Sequence, residues 1–196
     1  MKVGGLQKFS LIDYPGKTCA VIFTQGCNLR CSYCHNPELV YPNLFTAAIP
    51  FEDVYTFLEG KRGLLDGVVF SGGEPTLNGD LVEKIRAVRS LGYAVKLDTN
   101  GTNPDALAEA LPHLDFVAMD VKAPLGEPYT RVCGVAVDDY DIRRSMFLIK
   151  ASGIPHEFRT TFDEQALNDT DIPNIKRLSG NSKFTLQKCV PQRITI

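Results

Sequence analysis

The sequence predicts an α/β fold built on parallel strands, and three observations carry the prediction. Short apolar, β-favouring runs alternate with amphipathic stretches along the chain. The gaps between runs are long enough for helical crossovers, which parallel neighbours require. The polar, glycine-containing motifs fall where the runs end, the edge on which parallel α/β architectures carry their sites. Crossovers of one hand then wind the units in a single sense. Six units are fewer than the eight of a closed barrel, so an open, partial barrel and a doubly wound sheet both fit.

Each element has its own signal. "CAVIFT" (19–24) is a short apolar strand leading into a cysteine-rich loop. Residues 50–63 place Phe51, Val54, Phe57 and Leu58 at helical spacing. "DGVVFS" (66–71) is a buried strand followed by "GGEP". Residues 79–92 set Leu81, Val82, Ile85, Val88 and Leu91 on one helical face and end at a glycine. "YAVKLDT" (93–99) is a strand closed by an Asn–Gly turn. "PDALAEAL" (104–111) is a helix opened by proline. "DFVAMDVK" (115–122) is a strand, 138–153 a helix ending in glycine, "HEFRTTF" (156–162) a strand, 169–180 a helix and "KFTLQKC" (183–189) a last strand.

Composition excludes several classes. The chain has 196 residues, 44% hydrophobic and 22% charged, enough for one well-filled domain. A net charge of −2, without a charge block, gives no overall basic footprint for nucleic acid. No apolar run approaches the roughly 18–20 residues that cross a bilayer. The N-terminal stretch lacks the apolar centre of a secretion signal, so a cytoplasmic location is expected. In that compartment a tight group of cysteines points to metal or catalysis rather than disulfides. Cys19, Cys133 and Cys189 are scattered among apolar or β-favouring residues and read as small buried hydrophobes.

Cys27, Cys31 and Cys34 are spaced C-x-x-x-C-x-x-C directly after the first strand. Thiolates bind soft or borderline metals. A closed zinc site takes four ligands, usually from two close pairs, and no second pair is present. His35 adjoins Cys34, but neighbouring side chains rarely converge on one small ion. A 4Fe–4S cluster ordinarily takes four cysteines. Three would leave one iron free for a substrate or cofactor.

"CNLRCSYC" resembles the signature of the radical S-adenosylmethionine enzymes, with Tyr33 in its aromatic position. The resemblance implies a partial (β/α)6 barrel of parallel strands, formed by residues 1–196 as a single domain. It also implies that the open iron of one 4Fe–4S cluster chelates S-adenosylmethionine, and that reductive cleavage yields a 5′-deoxyadenosyl radical which abstracts hydrogen. "GGEP" matches the family's glycine-rich motif, in which the backbone of Gly72 and Gly73 and the Glu74 carboxylate receive the methionyl ammonium. Glycine allows a close main-chain approach to a ligand, and a carboxylate pairs with a cation. "LDTNG" and "MDVK" resemble the strand ends of the activating enzymes of glycyl radical enzymes. By that resemblance Lys122 faces the methionyl carboxylate. Asp98, Thr99 and Asp120 line the cofactor or a monovalent cation, and Asn100 reaches the ribose. Arg159 steadies the cofactor or a neighbouring acid.

"YCHNPE" and the leader "KFSLIDYPGK" resemble anaerobic ribonucleoside-triphosphate reductase activating proteins. The implied reaction is hydrogen abstraction from a backbone glycine of that reductase's large subunit. Asp13 is the candidate contact for the partner loop, its bland alternative being an acid bonded to its own turn. No cysteine lies between Cys34 and Gly72, so a single cluster is expected, reduced by an external flavodoxin or ferredoxin. Related chains run further than "QKCVPQRITI", which implies a short C-terminal edge. A radical enzyme with a small-molecule substrate, such as a deazaguanine synthase, and a non-enzymatic zinc module are the alternatives.

Overall fold

The computed structural model describes residues 1–189. β1 (Val3–Ser10) pairs antiparallel with β2 (Cys19–Thr24). From β2 onward each strand pairs in parallel with the next: β3 (Gly67–Gly72), β4 (Ala94–Thr99), β5 (Phe116–Asp120), β6 (His156–Phe162) and β7 (Lys183–Lys188). The strand order is sequential from β1 to β7. A doubly wound sheet reverses its order at a switch point. The partial barrel of parallel strands is therefore the architecture, and β2 to β7 are its six predicted units.

The connections carry α1 (Pro37–Val40), α2 (Phe51–Glu59), α3 (Leu81–Ser90), α4 (Pro104–Ala110), α5 (Glu127–Cys133), α6 (Asp139–Ser152) and α7 (Asp171–Ser179). Three elements go beyond the sequence expectation: β1, the four-residue α1 and α5. β1 occupies the stretch read only as a leader. Its Gly4 and Gly5 and its exposed Gln7, Lys8 and Phe9 hide the alternation that marks a strand. Pairing with β1 covers the edge of apolar β2. α5 is seven residues long with a proline near its start, too short for periodicity to show. The shortened C-terminal edge expected at 190–196 lies outside the described residues.

Strand side chains alternate between two environments. Ala20, Ile22, Val68, Phe70, Val95, Leu97 and Val117 pack with helix residues Val54, Leu58, Ile85, Val88, Leu107 and Ile149 in the main core. The opposite face begins with a small apolar cluster of Cys19, Val21 and Val69, closed by Tyr14 from the segment after β1. Cys19 and Cys133 are buried as expected, whereas Cys189 is half-exposed. Among the described residues no helix is long and apolar enough to cross a membrane.

Candidate functional site

The face that starts at Tyr14 becomes polar toward the C-terminal ends of the strands. Two residues beyond Val69 is Ser71, two beyond Ala94 is Lys96 and then Asp98, and β5 ends in Asp120. β6 contributes Arg159, the register partner of Asp120. Ser71, Asp98, Asp120, Arg159 and the cysteine loop enclose a cavity of about 200 Å³. Its walls include Cys27, Tyr33 and Cys34, the Gly72–Glu74 backbone, and Asn100 and Lys122.

A charge ladder crosses the cavity floor. Lys96, only 2% exposed, places Nζ 2.7 Å from Asp98 Oδ1. Asp98 Oδ2 lies 3.4 Å from Arg159 Nη1, and Arg159 Nε donates to Asp120 Oδ1 at 2.9 Å. Asp120 Oδ2 then accepts from Lys122 Nζ at 3.0 Å. Burial pushes the Asp120 carboxyl up, but Arg159 and Lys122 outweigh it and hold the group well below the usual carboxylate range. Burial pulls Lys122 and Arg159 down, and the carboxylates beside them more than reverse this. Lys122 and Arg159 are the cations on the cavity wall, with Asp120 bonded to both. Lys122 also stands 6.0 Å over the Tyr33 ring, whose hydroxyl is buried without a hydrogen-bond partner among the described residues.

The glycine-rich motif is tied into the fold. Glu74 is 0% exposed, and its carboxylate is saturated by protein donors. Oε1 accepts from Thr76 N at 3.1 Å, Thr76 Oγ1 at 2.6 Å and Thr99 Oγ1 at 2.8 Å. Oε2 accepts from Asn100 N at 2.6 Å. In the structure this carboxylate ties the loop after β3 to the end of β4. The glycines line the cavity and also serve loop packing. A Cβ at Gly73 would sit 2.1 Å from Gly26 O. One at Gly72, where φ is +110°, would meet Thr24 N at 2.4 Å. That closeness lets Gly73 N donate to Thr24 O at 2.9 Å and Glu74 N to Gly26 O at 2.8 Å, joining this loop to the base of the cysteine loop.

Among the described residues no three His, Cys, Asp or Glu side chains converge closely enough to hold a single metal ion. Cys27, Cys31 and Cys34 instead share the wall of the cavity, beside space for a larger group. The Cys27 sulfur has hydrogen-bond donors. Leu29 N reaches Cys27 Sγ at 3.4 Å, and Asn100 Nδ2 lies 3.9 Å from it. Burial pushes Cys27 up to about 11 and Cys34 upward too. The nearby Cys133 thiol lowers Cys31, and Cys31 raises Cys133. Soft sulfur donors arrayed along one wall fit an iron–sulfur cluster.

The structure thus gathers every predicted site residue except Asp13 around one cavity or its supporting loops. Asp13 accepts from Ser10 Oγ in its own turn, and its carbonyl receives Lys96 Nζ at 2.7 Å. It sits at the opposite end of the strands, near the start of β2, where its backbone caps the ladder from below. Asn100 bonds Asn28 Oδ1 at 3.0 Å. Lys96 is a functional candidate that motif reading missed, and alternation with Asp98 could have found it.

A sequence profile described as the radical SAM superfamily matches residues 21–164. A Methanocaldococcus jannaschii protein named "putative glycyl-radical enzyme activating enzyme" is 33% identical over 97% of this chain and 80% of its own length. A pyruvate formate-lyase-activating enzyme of Clostridium pasteurianum is 31% identical over 71% of the chain, which spans 60% of that relative. Among solved structures, a radical SAM methyltransferase from Sphaerobacter thermophilus superposes with a TM-score of 0.72 at 14% identity, over 95% of this chain and 60% of that one. Streptococcus suis SuiB bound to S-adenosylmethionine gives 0.70 at 16% identity, over 89% of this chain and 41% of that one. The two structural likenesses speak to the fold.

Proposed function

The chain belongs to the radical SAM superfamily and to its glycyl radical enzyme activating enzymes, and from that premise we propose how residues 1–196, as a single domain, carry the reaction. Cys27, Cys31 and Cys34 hold one 4Fe–4S cluster, and S-adenosylmethionine lies across the cavity beside them. When bound, these groups supply a 5′-deoxyadenosyl radical that takes hydrogen from a backbone glycine of a partner enzyme. Lys122 and Arg159 orient the methionyl carboxylate, Asp120 holding both in place. The Gly72–Glu74 backbone offers carbonyls to the ammonium while the Glu74 carboxylate keeps that loop fixed. Tyr33 and Thr99 shape the wall, and Asn100 stands at the junction of the two loops. Asp98 and Asp120 are also the residues for a monovalent cation, which would share them with the Arg159 guanidinium.

The single observation that supports this reading most is the meeting of three cysteines with the Lys122 and Arg159 side chains in one cavity. The partner we infer is the large subunit of an anaerobic ribonucleoside-triphosphate reductase, with a flavodoxin or ferredoxin as electron donor. The leader and "HNPE" motifs support that choice.

The test is electron paramagnetic resonance on anaerobically reconstituted protein, reduced and mixed with S-adenosylmethionine and the reductase subunit. A glycyl doublet that disappears in Cys27→Ala, Cys31→Ala and Cys34→Ala is expected. A signal with pyruvate formate-lyase alone would overturn the choice of partner. No 5′-deoxyadenosine under any reducing condition would overturn the activity, and one zinc with no iron would overturn the cluster.

A further inference from the structure

Lys96 is 2% exposed and lies behind the cavity wall, which Asp98 and Arg159 help to form. Lys96 and Asp98 stand two residues apart on β4, so their side chains share one face of the sheet. The ammonium meets two oxygens from two elements. One is the Asp13 carbonyl, a main-chain group of the turn after β1, at 2.7 Å. The other is Asp98 Oδ1, also at 2.7 Å. That carboxylate oxygen is buried and has no hydrogen-bond partner among the described residues, so the Lys96 charge is what compensates it. Asp98 Oδ2 takes Ser71 Oγ at 3.3 Å and Arg159 Nη1 at 3.4 Å. Asp98 thus divides its charge between a cation behind the wall and a guanidinium on it. The contact with the guanidinium is the longer of the two.

We propose that Lys96 is a positioning residue for S-adenosylmethionine: by neutralising Asp98 from behind the wall, it leaves the Arg159 guanidinium available to the methionyl carboxylate. The inference rests on the reading that Arg159 orients that carboxylate. Without Lys96, Asp98 turns to the nearest remaining cation, Arg159, and a bidentate pair between the two is the stronger geometry. The wall then also carries a carboxylate with less compensation, which repels a like charge brought into a poorly solvated cavity. Both effects weaken the hold on a ligand carboxylate, and both run through Asp98 alone. The Asp13 carbonyl grips the ammonium from the other side, so the fold and not the ligand sets where Lys96 sits.

The experiment is equilibrium dialysis of S-adenosylmethionine against anaerobically reconstituted protein, kept oxidised so that no cleavage occurs. It compares wild type, Lys96→Met, Asp98→Asn and the double variant, with iron content measured on each. The expected result is a Kd raised roughly tenfold in Lys96→Met at unchanged iron content, and little further change when Lys96→Met is added to Asp98→Asn. A role in packing alone would not depend on Asp98 in this way. Lys96→Gln removes the charge but keeps a donor for the Asp13 carbonyl. It should show the same rise, and it carries the test should the methionine variant fail to fold. An unchanged Kd in the variants without the charge, or a rise equally large on top of Asp98→Asn, overturns the proposal. If that happens while wild type binds S-adenosylmethionine, the reading of the cavity stands and only the role of Lys96 falls. A wild type that loads its cluster but binds no S-adenosylmethionine overturns both.

Discussion

Replacing Glu74 by glutamine separates the two roles open to that carboxylate. In the structure both oxygens act only as acceptors, with three donors on Oε1 and Asn100 N on Oε2. A glutamine must turn its NH2 toward one of these sets. The cheaper orientation faces Asn100 N–H and loses one hydrogen bond to a charged group, about 1.5–3 kcal/mol. Relief from burying a carboxylate, which burial already pushes toward its protonated form, offsets part of that cost. The net destabilisation is about 2 kcal/mol. At roughly 2–4 °C per kcal/mol for a domain of this size, Tm falls by about 4–8 °C. Scanning calorimetry on the metal-free protein measures this without any cofactor. A Glu74→Gln apoprotein with wild-type Tm, combined with weakened binding of S-adenosylmethionine, would refute the loop-locking argument and return the carboxylate to the ammonium.

Four further outcomes follow from the same geometry. Gly73→Ala must push the glycine-rich and cysteine loops apart by about 1 Å to relieve the contact with Gly26 O, an overpacking cost of about 1–3 kcal/mol, and iron uptake should fall with it. Gly79→Ala, with open space around its Cβ, should leave both Tm and iron content unchanged. Lys96→Met strips Asp98 of its closest cation, and breaking a buried pair costs about 3 kcal/mol. Urea unfolding should show this, with Lys96→Met/Asp98→Asn recovering some of the loss. Asp120 is held below its ordinary range when folded, so its contribution is present above the unfolded value of about 4 and is lost as pH falls below it. Tm of wild type should therefore fall more steeply between pH 5 and 3 than that of Asp120→Asn, as read by circular dichroism melts; equal slopes would refute the assignment.

Much of the protein was legible in one dimension. "CNLRCSYC" and "GGEP" carry their information in contiguous residues, because a loop that wraps a cluster and a turn that needs positive φ are local demands. The strand-and-helix alternation from Cys19 to Lys188 was legible because burial imposes its period on the sequence. β1 was not, since its glycines and exposed polar residues obey the needs of an edge rather than of a core.

What only tertiary structure decided is who meets whom. Glu74 is an ammonium acceptor by motif, but Thr99 and Asn100 arrive from the neighbouring strand and take its oxygens. Cys133 is a small hydrophobe by its surroundings, but α5 sets it against Cys31. Asp13 belongs to a motif-bearing leader, yet the antiparallel run of β1 carries it to the end of the barrel away from the cavity. The sequence by itself determined the element types, the cofactor chemistry and the cavity rim. Each of these is written in spacing along the chain. Hydrogen-bond saturation and thiol pairing depend on side chains distant in sequence, and their proximity comes into being only when the sheet closes.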